Sequence, residues 1–192
     1  MAVCKPFAPV KLVCGIIAAR EEHFALAEER LAAAHGPIDD HSPKAPFPGT
    51  DYYAPQMGAE LRRGFLSFAG LIDPTHLPAV KIETNDLEVE LSRMMETKTR
   101  IVNLDPGYLT AAALIMATAK DFSHRVPLGQ GIYAHLEFLF TRNGIRTLEW
   151  TYPDFRNEGY GDFFPRVRRR YLEQLRAQTG PLSGADAPPA GG

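Results

Sequence analysis

Six side chains able to carry chemistry, Asp105, Lys120, His124, Arg125, Tyr133 and Asp154, fall within one stretch of the chain, Arg100 to Arg156. They lie in the segments N-L-D-P-G-Y-L-T (103–110), A-K-D-F-S-H-R (119–125), G-Q-G-I-Y-A-H (129–135) and W-T-Y-P-D-F-R (150–156), with strand-like apolar runs between. Strand ends and turns are where sites on a sheet are usually built. Lys120, His124 and Arg125 place three potential cations in one turn-like segment, and with Lys81 they would surround a phosphate or carboxylate. His124 titrates nearest neutrality, so with Asp105 it forms the expected proton-transfer pair. Asn103 and Asp105, two residues apart, point to one side of a strand and would orient a ligand.

Each of these residues also has a plainer reading. Asp105-Pro106-Gly107-Tyr108 reads as a β-turn, with proline setting φ and glycine supplying a positive φ. Lys120, Asp121 and Arg125 would serve as ordinary ion pairs, and Lys81, Glu88, Asp105 and Arg125 could satisfy one another as a structural network. Tyr133, His135 and Glu137 share one face of a strand, which either lines a groove or faces solvent.

Motifs exclude several activities. No G-x-x-x-x-G-K-[ST] phosphate loop and no G-x-G-x-x-G after a strand occurs, which argues against a GTPase of the usual kind and against a Rossmann enzyme. No G-x-S-x-G elbow is present. Asp105, His124, His135 and Glu137 are suitable metal ligands by type. No H-x-H, H-E-x-x-H or cysteine cluster fixes a geometry, so no metal and no cofactor is assigned.

With a net charge of −2, the chain has no global attraction for DNA or an anionic membrane. No apolar run approaches the ~20 residues that span a bilayer, and the N-terminus lacks the build of a signal peptide. Cys4 and Cys14 are too few for a disulfide framework, so a cytoplasmic protein is expected. The oligomeric state is not legible.

These residues need a scaffold. Lys11 to Ala18 reads as a buried strand, Glu21 to His35 as a helix ended by Gly36-Pro37, and Gly64 to Ile72 as a strand. Residues 38–47 and 50–57 read as two short edge strands. Asp73-Pro74 opens a helix to about Met95, which Pro78 bends or restarts. On that helix Leu77, Val80, Leu87, Leu91 and Met94 form the core stripe. Beside it Lys81, Asn85, Glu88 and Ser92 form a polar stripe that must find partners, because it borders the buried face. Four strands follow, at 101–104, 113–118, 132–140 and 147–150, with an Asn143-Gly144 hairpin turn. A closing helix over 162–178 carries Arg166, Arg168, Arg169 and Arg170.

Taken together, several segments resemble the bacterial domain-of-unknown-function 4416 family. They are G-P-I-D (36–39), T-D-Y-Y-A-P-Q-M-G (50–58), K-I-E-T-N-D-L-E (81–88), V-N-L-D-P-G-Y-L-T (102–110), K-D-F-S-H-R (120–125), G-I-Y-A (131–134) and W-T-Y-P-D-F-R (150–156). The chain departs from the family pattern after G-I-Y-A, where an acid is usual and His135 stands here. The resemblance implies a compact bacterial cytosolic domain and brings no activity with it.

The reading is an α+β fold: a mostly antiparallel, mixed sheet with about three helices mainly on one side. One domain spans 8–178, and the tail 179–192 is too poor in apolar residues to be ordered. The expected function is binding of a small anionic or phosphorylated, nucleotide-like ligand at the strand ends. Lys81, Lys120, His124 and Arg125 neutralise it, and Asn85, Glu88, Asn103, Asp105 and Tyr133 complete the site. The alternative is an interaction or RNA-associated module using the arginine helix.

Overall fold

Nine consecutive residues, Val10–Ala18 (β1), are all buried. A strand buried on both faces must sit inside a sheet that is covered on both sides. The computed structural model describes residues 2–47, 53–58, 60–156 and 158–179. After β1 come the helix Glu21–His35 (α1), short strands Ile38–His41 (β2) and Ala45–Pro46 (β3), a helical turn Ala54–Met57 (α2) and strand Arg62–Ile72 (β4). The helix Leu77–Met94 (α3) leads into Val102–Leu109 (β5), Ala113–Thr118 (β6), Val126–Gly129 (β7), Ile132–Thr141 (β8) and Gly144–Thr147 (β9). Phe163–Thr179 (α4) closes the fold.

The sheet order is β2-β4-β1-β5-β6-β8-β7, with β3 on β4 and β9 on β8. Every pairing among the described residues is antiparallel, so the mixed element expected of the sheet is not found among them. The fold is α+β with a mostly antiparallel sheet. Alternation along β1 divides its side chains. Leu12, Cys14, Ile16 and Ala18 pack with Phe24, Ala27 and Leu31 of α1 and Val80 and Leu91 of α3. Val13 faces the opposite layer, where Phe163, Phe164, Val167 and Tyr171 of α4 meet Leu114, Met116 and Phe138. Two of the three long helices thus share a face and α4 covers the other.

Several local expectations hold for the expected reasons. Asp73 accepts from the Thr75 N–H, a short 3-10 turn follows, and Pro78 sits at the start of α3. Gly36 ends α1 with φ 91°. Others change. The segment 50–57 is not an edge strand where it is described, because Ala54–Met57 is helical. Met94 is exposed rather than part of the core. The tail expected over 179–192 lies outside the described residues except for Thr179, which ends α4. No helix among the described residues is long and apolar enough to cross a membrane.

The largest correction concerns Asp105-Pro106-Gly107-Tyr108, which is mid-strand rather than a turn. β5 pairs with β1 along its whole length, but with β6 only from Gly107 onward. The sheet therefore splits beside Leu104. There the Leu104 N–H donates to Glu88 Oε1 at 2.6 Å, and its carbonyl accepts from Lys81 Nζ at 2.8 Å. Buried backbone groups must be paired, and α3 supplies what β6 would have given. Pro106, two residues on, directs its nitrogen to the same side, just before the ladder to β6 begins, so its missing N–H costs nothing. A Cβ on Gly107 would come within 2.5 Å of the Ile115 carbonyl and Met116 Sδ, so glycine lets β6 approach.

Candidate functional site

The split in the sheet opens a cavity of about 510 Å³. Strand registers build one wall. Ile17 pairs with Arg63 and Asn103, Gly15 with Asp105, Gly107 with Met116, and Met116 with His135. Directly opposed residues point to the same face. Arg63, Asn103, Asp105, Met116 and His135 therefore converge on one side of the sheet, and all five line the cavity. From α3, Lys81 and Asn85 reach it at the gap between β5 and β6, and Lys120 joins from the end of β6. Phe47, Tyr53, Tyr152 and Phe155 supply aromatic wall.

Arg63 is the electrostatic centre, and its side chain is only 6% exposed. Its Nη1 donates to Asp154 Oδ2 at 2.8 Å and its Nη2 to Asp105 Oδ2 at 3.2 Å. Phe65 and Phe155 lie 4.7 and 4.9 Å from the guanidinium carbon. Gly15 makes this possible, since a Cβ there would sit 3.1 Å from Arg63 Nε and 2.8 Å from Phe65. Burial works against the guanidinium charge, and Asp105 and Asp154 outweigh it. Burial also pushes the Asp105 carboxyl up, but Lys81 (3.7 Å away) and Arg63 together hold it below the usual range.

The polar stripe of α3 finds its partners here. Glu88 pairs with Arg100 as well as capping Leu104, and Arg100 Nη2 also donates to Asn103 Oδ1 at 2.7 Å. Burial raises the Glu88 pKa despite the neighbouring Arg100. The Asn103 side chain leans towards Asp105, but its Nδ2 makes no hydrogen bond of proper geometry.

The structure brings Lys81, Asn85, Asn103, Asp105 and Lys120 together around the cavity. It does not bring His124, Arg125, Glu88 or Tyr133 to the lining. Tyr133 is half-buried, two residues before His135. His124 stacks on Trp150 at 4.8 Å and touches His135 Nδ1 at 3.2 Å. Arg125 donates to His135 Nδ1 at 3.2 Å, to the Tyr152 hydroxyl at 2.8 Å and to the Lys120 carbonyl at 2.7 Å. His124 has no contact with Asp105, whose charged partners are Arg63 and Lys81. Burial, His135 and Arg125 lower the His124 pKa, which works against the charged ring that an anion would need. Both residues instead hold His135 from behind.

Sequence reasoning missed Arg63 and Arg100, and it left open whether His135 and Glu137 line a groove or face solvent; they are buried and line the cavity. The available signal was charge placed against apolar neighbours: Arg63 stands directly before the G-F-L-S-F run, and a cation there must be paired. Among the described residues, no three His, Cys, Asp or Glu side chains converge as metal ligands.

The family described as "Domain of unknown function (DUF4416)" matches residues 8–171. No curated protein and no solved structure matches the chain. The match spans most of the chain, and the chain belongs to that family.

Proposed function

We propose that this member of the DUF4416 family binds a small anionic, phosphorylated ligand in the cavity at the split of its sheet. One observation carries the reading. Four cationic side chains from separate segments, Arg63, Lys81, Arg100 and Lys120, line the same cavity as three carboxylates, Asp105, Glu137 and Asp154. Arg63 is held by Asp105 and Asp154, and Lys81, Arg100 and Lys120 complete the positive wall. The volume fits the ~300–1,000 Å³ of small-molecule sites. In this reading Lys81 and Lys120 neutralise the ligand, Asn85 and Asn103 orient it, and His124 and Arg125 act through His135.

Three of the five arginines of α4, all from the cluster Arg166 to Arg170, support this reading over the RNA alternative. Arg166 is paired with Asp40, Arg170 with Asp39 and Asp40, and Arg168 donates to the Ala111 carbonyl.

The test is thermal stability with inorganic phosphate, pyrophosphate and a panel of phosphorylated metabolites, since a ligand that binds only the folded state raises Tm. The expected result is a concentration-dependent rise that Lys120→Ala and Lys81→Met each reduce. No stabilisation by any of them, or a rise untouched by both substitutions, overturns the reading. RNA binding that weakens with salt and with Arg169→Ala would favour the alternative.

A further inference from the structure

Three residues that line the cavity carry buried polar atoms that the described chain leaves without a hydrogen bond. Glu137 is fully buried. Its Oε1 accepts from the Tyr152 N–H at 2.7 Å, whereas its Oε2 has no hydrogen-bond partner. His135 is 2% exposed. Its Nδ1 faces both Arg125 Nε and His124 Nε2 at 3.2 Å. A guanidinium can only donate, so Nδ1 carries the lone pair and the proton of the neutral ring sits on Nε2. That Nε2 lies 3.2 Å from Glu137 Oε2, yet neither atom makes a hydrogen bond of proper geometry. Asn103 Nδ2 is a third such atom on the same wall.

The two kinds of atom ask for different things. Asn103 Nδ2 and His135 Nε2 are donors, and a phosphate or carboxylate oxygen satisfies them. Glu137 Oε2 is an acceptor, and an anion that carries no proton cannot satisfy it. A hydroxyl meets both demands, because it donates into Oε2 while its lone pair accepts from the adjacent Nε2–H. A buried acceptor left without a donor is costly, which gives a hydroxylated ligand an advantage that a bare anion lacks.

We infer that the ligand is a sugar phosphate, free or as the ribose phosphate of a nucleotide, with a hydroxyl bridging His135 Nε2 and Glu137 Oε2 and its phosphate towards Lys81 and Lys120. This inference rests on the anionic-ligand reading above and adds the group that must accompany the charge. His124 and Arg125 take a positioning role, fixing the tautomer that turns the ring proton towards Glu137 Oε2.

The experiment is titration calorimetry on the full chain with inorganic phosphate, methyl phosphate, ribose 5-phosphate and nucleoside 5′-monophosphates. Methyl phosphate carries the same anionic group without a hydroxyl. Ribose 5-phosphate is expected to bind at least about tenfold more tightly than methyl phosphate, the effect of one hydrogen bond to a charged group. Glu137→Gln keeps Oε1 for the Tyr152 N–H and puts an amide donor where Oε2 was. It should erase most of the preference and leave methyl phosphate binding equal or tighter, with circular dichroism confirming the fold. Equal binding of ribose 5-phosphate and methyl phosphate to the unmutated protein overturns the inference and leaves the anion site standing, as does an undiminished preference in folded Glu137→Gln. Binding of none of the probes removes both readings. A nucleoside monophosphate tighter than ribose 5-phosphate assigns the sugar to a nucleotide, and an equal or weaker one assigns it to a free sugar phosphate.

Discussion

Replacing Arg63 by Met removes one guanidinium and leaves Asp105 and Asp154 facing each other across an apolar space of similar size. Arg63 makes two charged hydrogen bonds, at 2.8 and 3.2 Å, to two different carboxylates. At about 1.5–3 kcal/mol for each hydrogen bond to a charged group, their loss costs roughly 3–6 kcal/mol. Breaking a buried ion pair by removing one partner costs about 3–5 kcal/mol, so the two routes agree. For a chain of this size that corresponds to a fall in Tm of roughly 6–20 °C. Lys81, 3.7 Å from Asp105, softens the effect without replacing it. The pH dependence is the sharper readout. In the native protein the Asp105 pKa is depressed, so its contribution is complete above the unfolded carboxyl pKa of about 3.9 and is lost as pH falls through the folded value. Without Arg63 that depression shrinks or reverses. The deficit of Arg63→Met should therefore be largest near pH 7 and should narrow below about pH 4. Chemical denaturation of both proteins from pH 3 to 8 measures it. A deficit under about 1 kcal/mol at pH 7, or one that does not change with pH, would refute the argument that this cation holds two charged carboxylates.

Further outcomes follow from neighbouring contacts. Gly15→Ala drives a methyl against Phe65 and Arg63, and should cost about 1–3 kcal/mol by overpacking, read from the urea midpoint. Gly107→Ala meets the backbone carbonyl of Ile115 rather than a movable side-chain tip alone, so its loss should equal or exceed that of Gly15→Ala in the same assay. Glu88→Ala leaves the Leu104 N–H without its acceptor, whereas Glu88→Gln keeps one. The alanine variant should be the less stable by about 1–3 kcal/mol, and hydrogen exchange at Leu104 should rise in that variant alone. Asp40 is held below the usual range by its hydrogen bond to Arg166, so its stabilisation exists above the unfolded pKa and fades as pH falls. Asp40→Asn should cost no more than about 1 kcal/mol at pH 7 and should flatten part of the acid-unfolding slope.

The legible parts of this protein were those where a local pattern has one local meaning. β1 was readable because a short unbroken apolar run can only be a buried segment, and β4 through its alternation of large and small residues. α1, the restart at Pro78 and a hairpin near Asn143-Gly144 were readable because caps, prolines and positive-φ positions act over a few residues, although Arg142 and Asn143 form its loop and its second strand is Gly144–Thr147 rather than 147–150. The polar stripe of α3 was recognised as needing partners, and Lys81 and Glu88 found them on Leu104. The Asp105-Pro106-Gly107 segment misled for the same reason. Its residues are good turn formers, and what makes them a strand is the departure of β6, which no neighbour in sequence announces.

The sequence by itself determined the α+β class, the family, most element types and five residues that share the cavity: Lys81, Asn85, Asn103, Asp105 and Lys120. The tertiary structure alone decided that Arg63, from a strand some forty residues earlier, is the charge at the centre. It alone decided that His135 and Glu137 face inward, and that His124 and Arg125 stand behind them. Periodicity assigns a side chain to a face of its own strand. Which faces meet, and which of two alternating faces is buried, depends on registers between strands and on a split in the sheet. Those are long-range pairings that a local pattern does not encode.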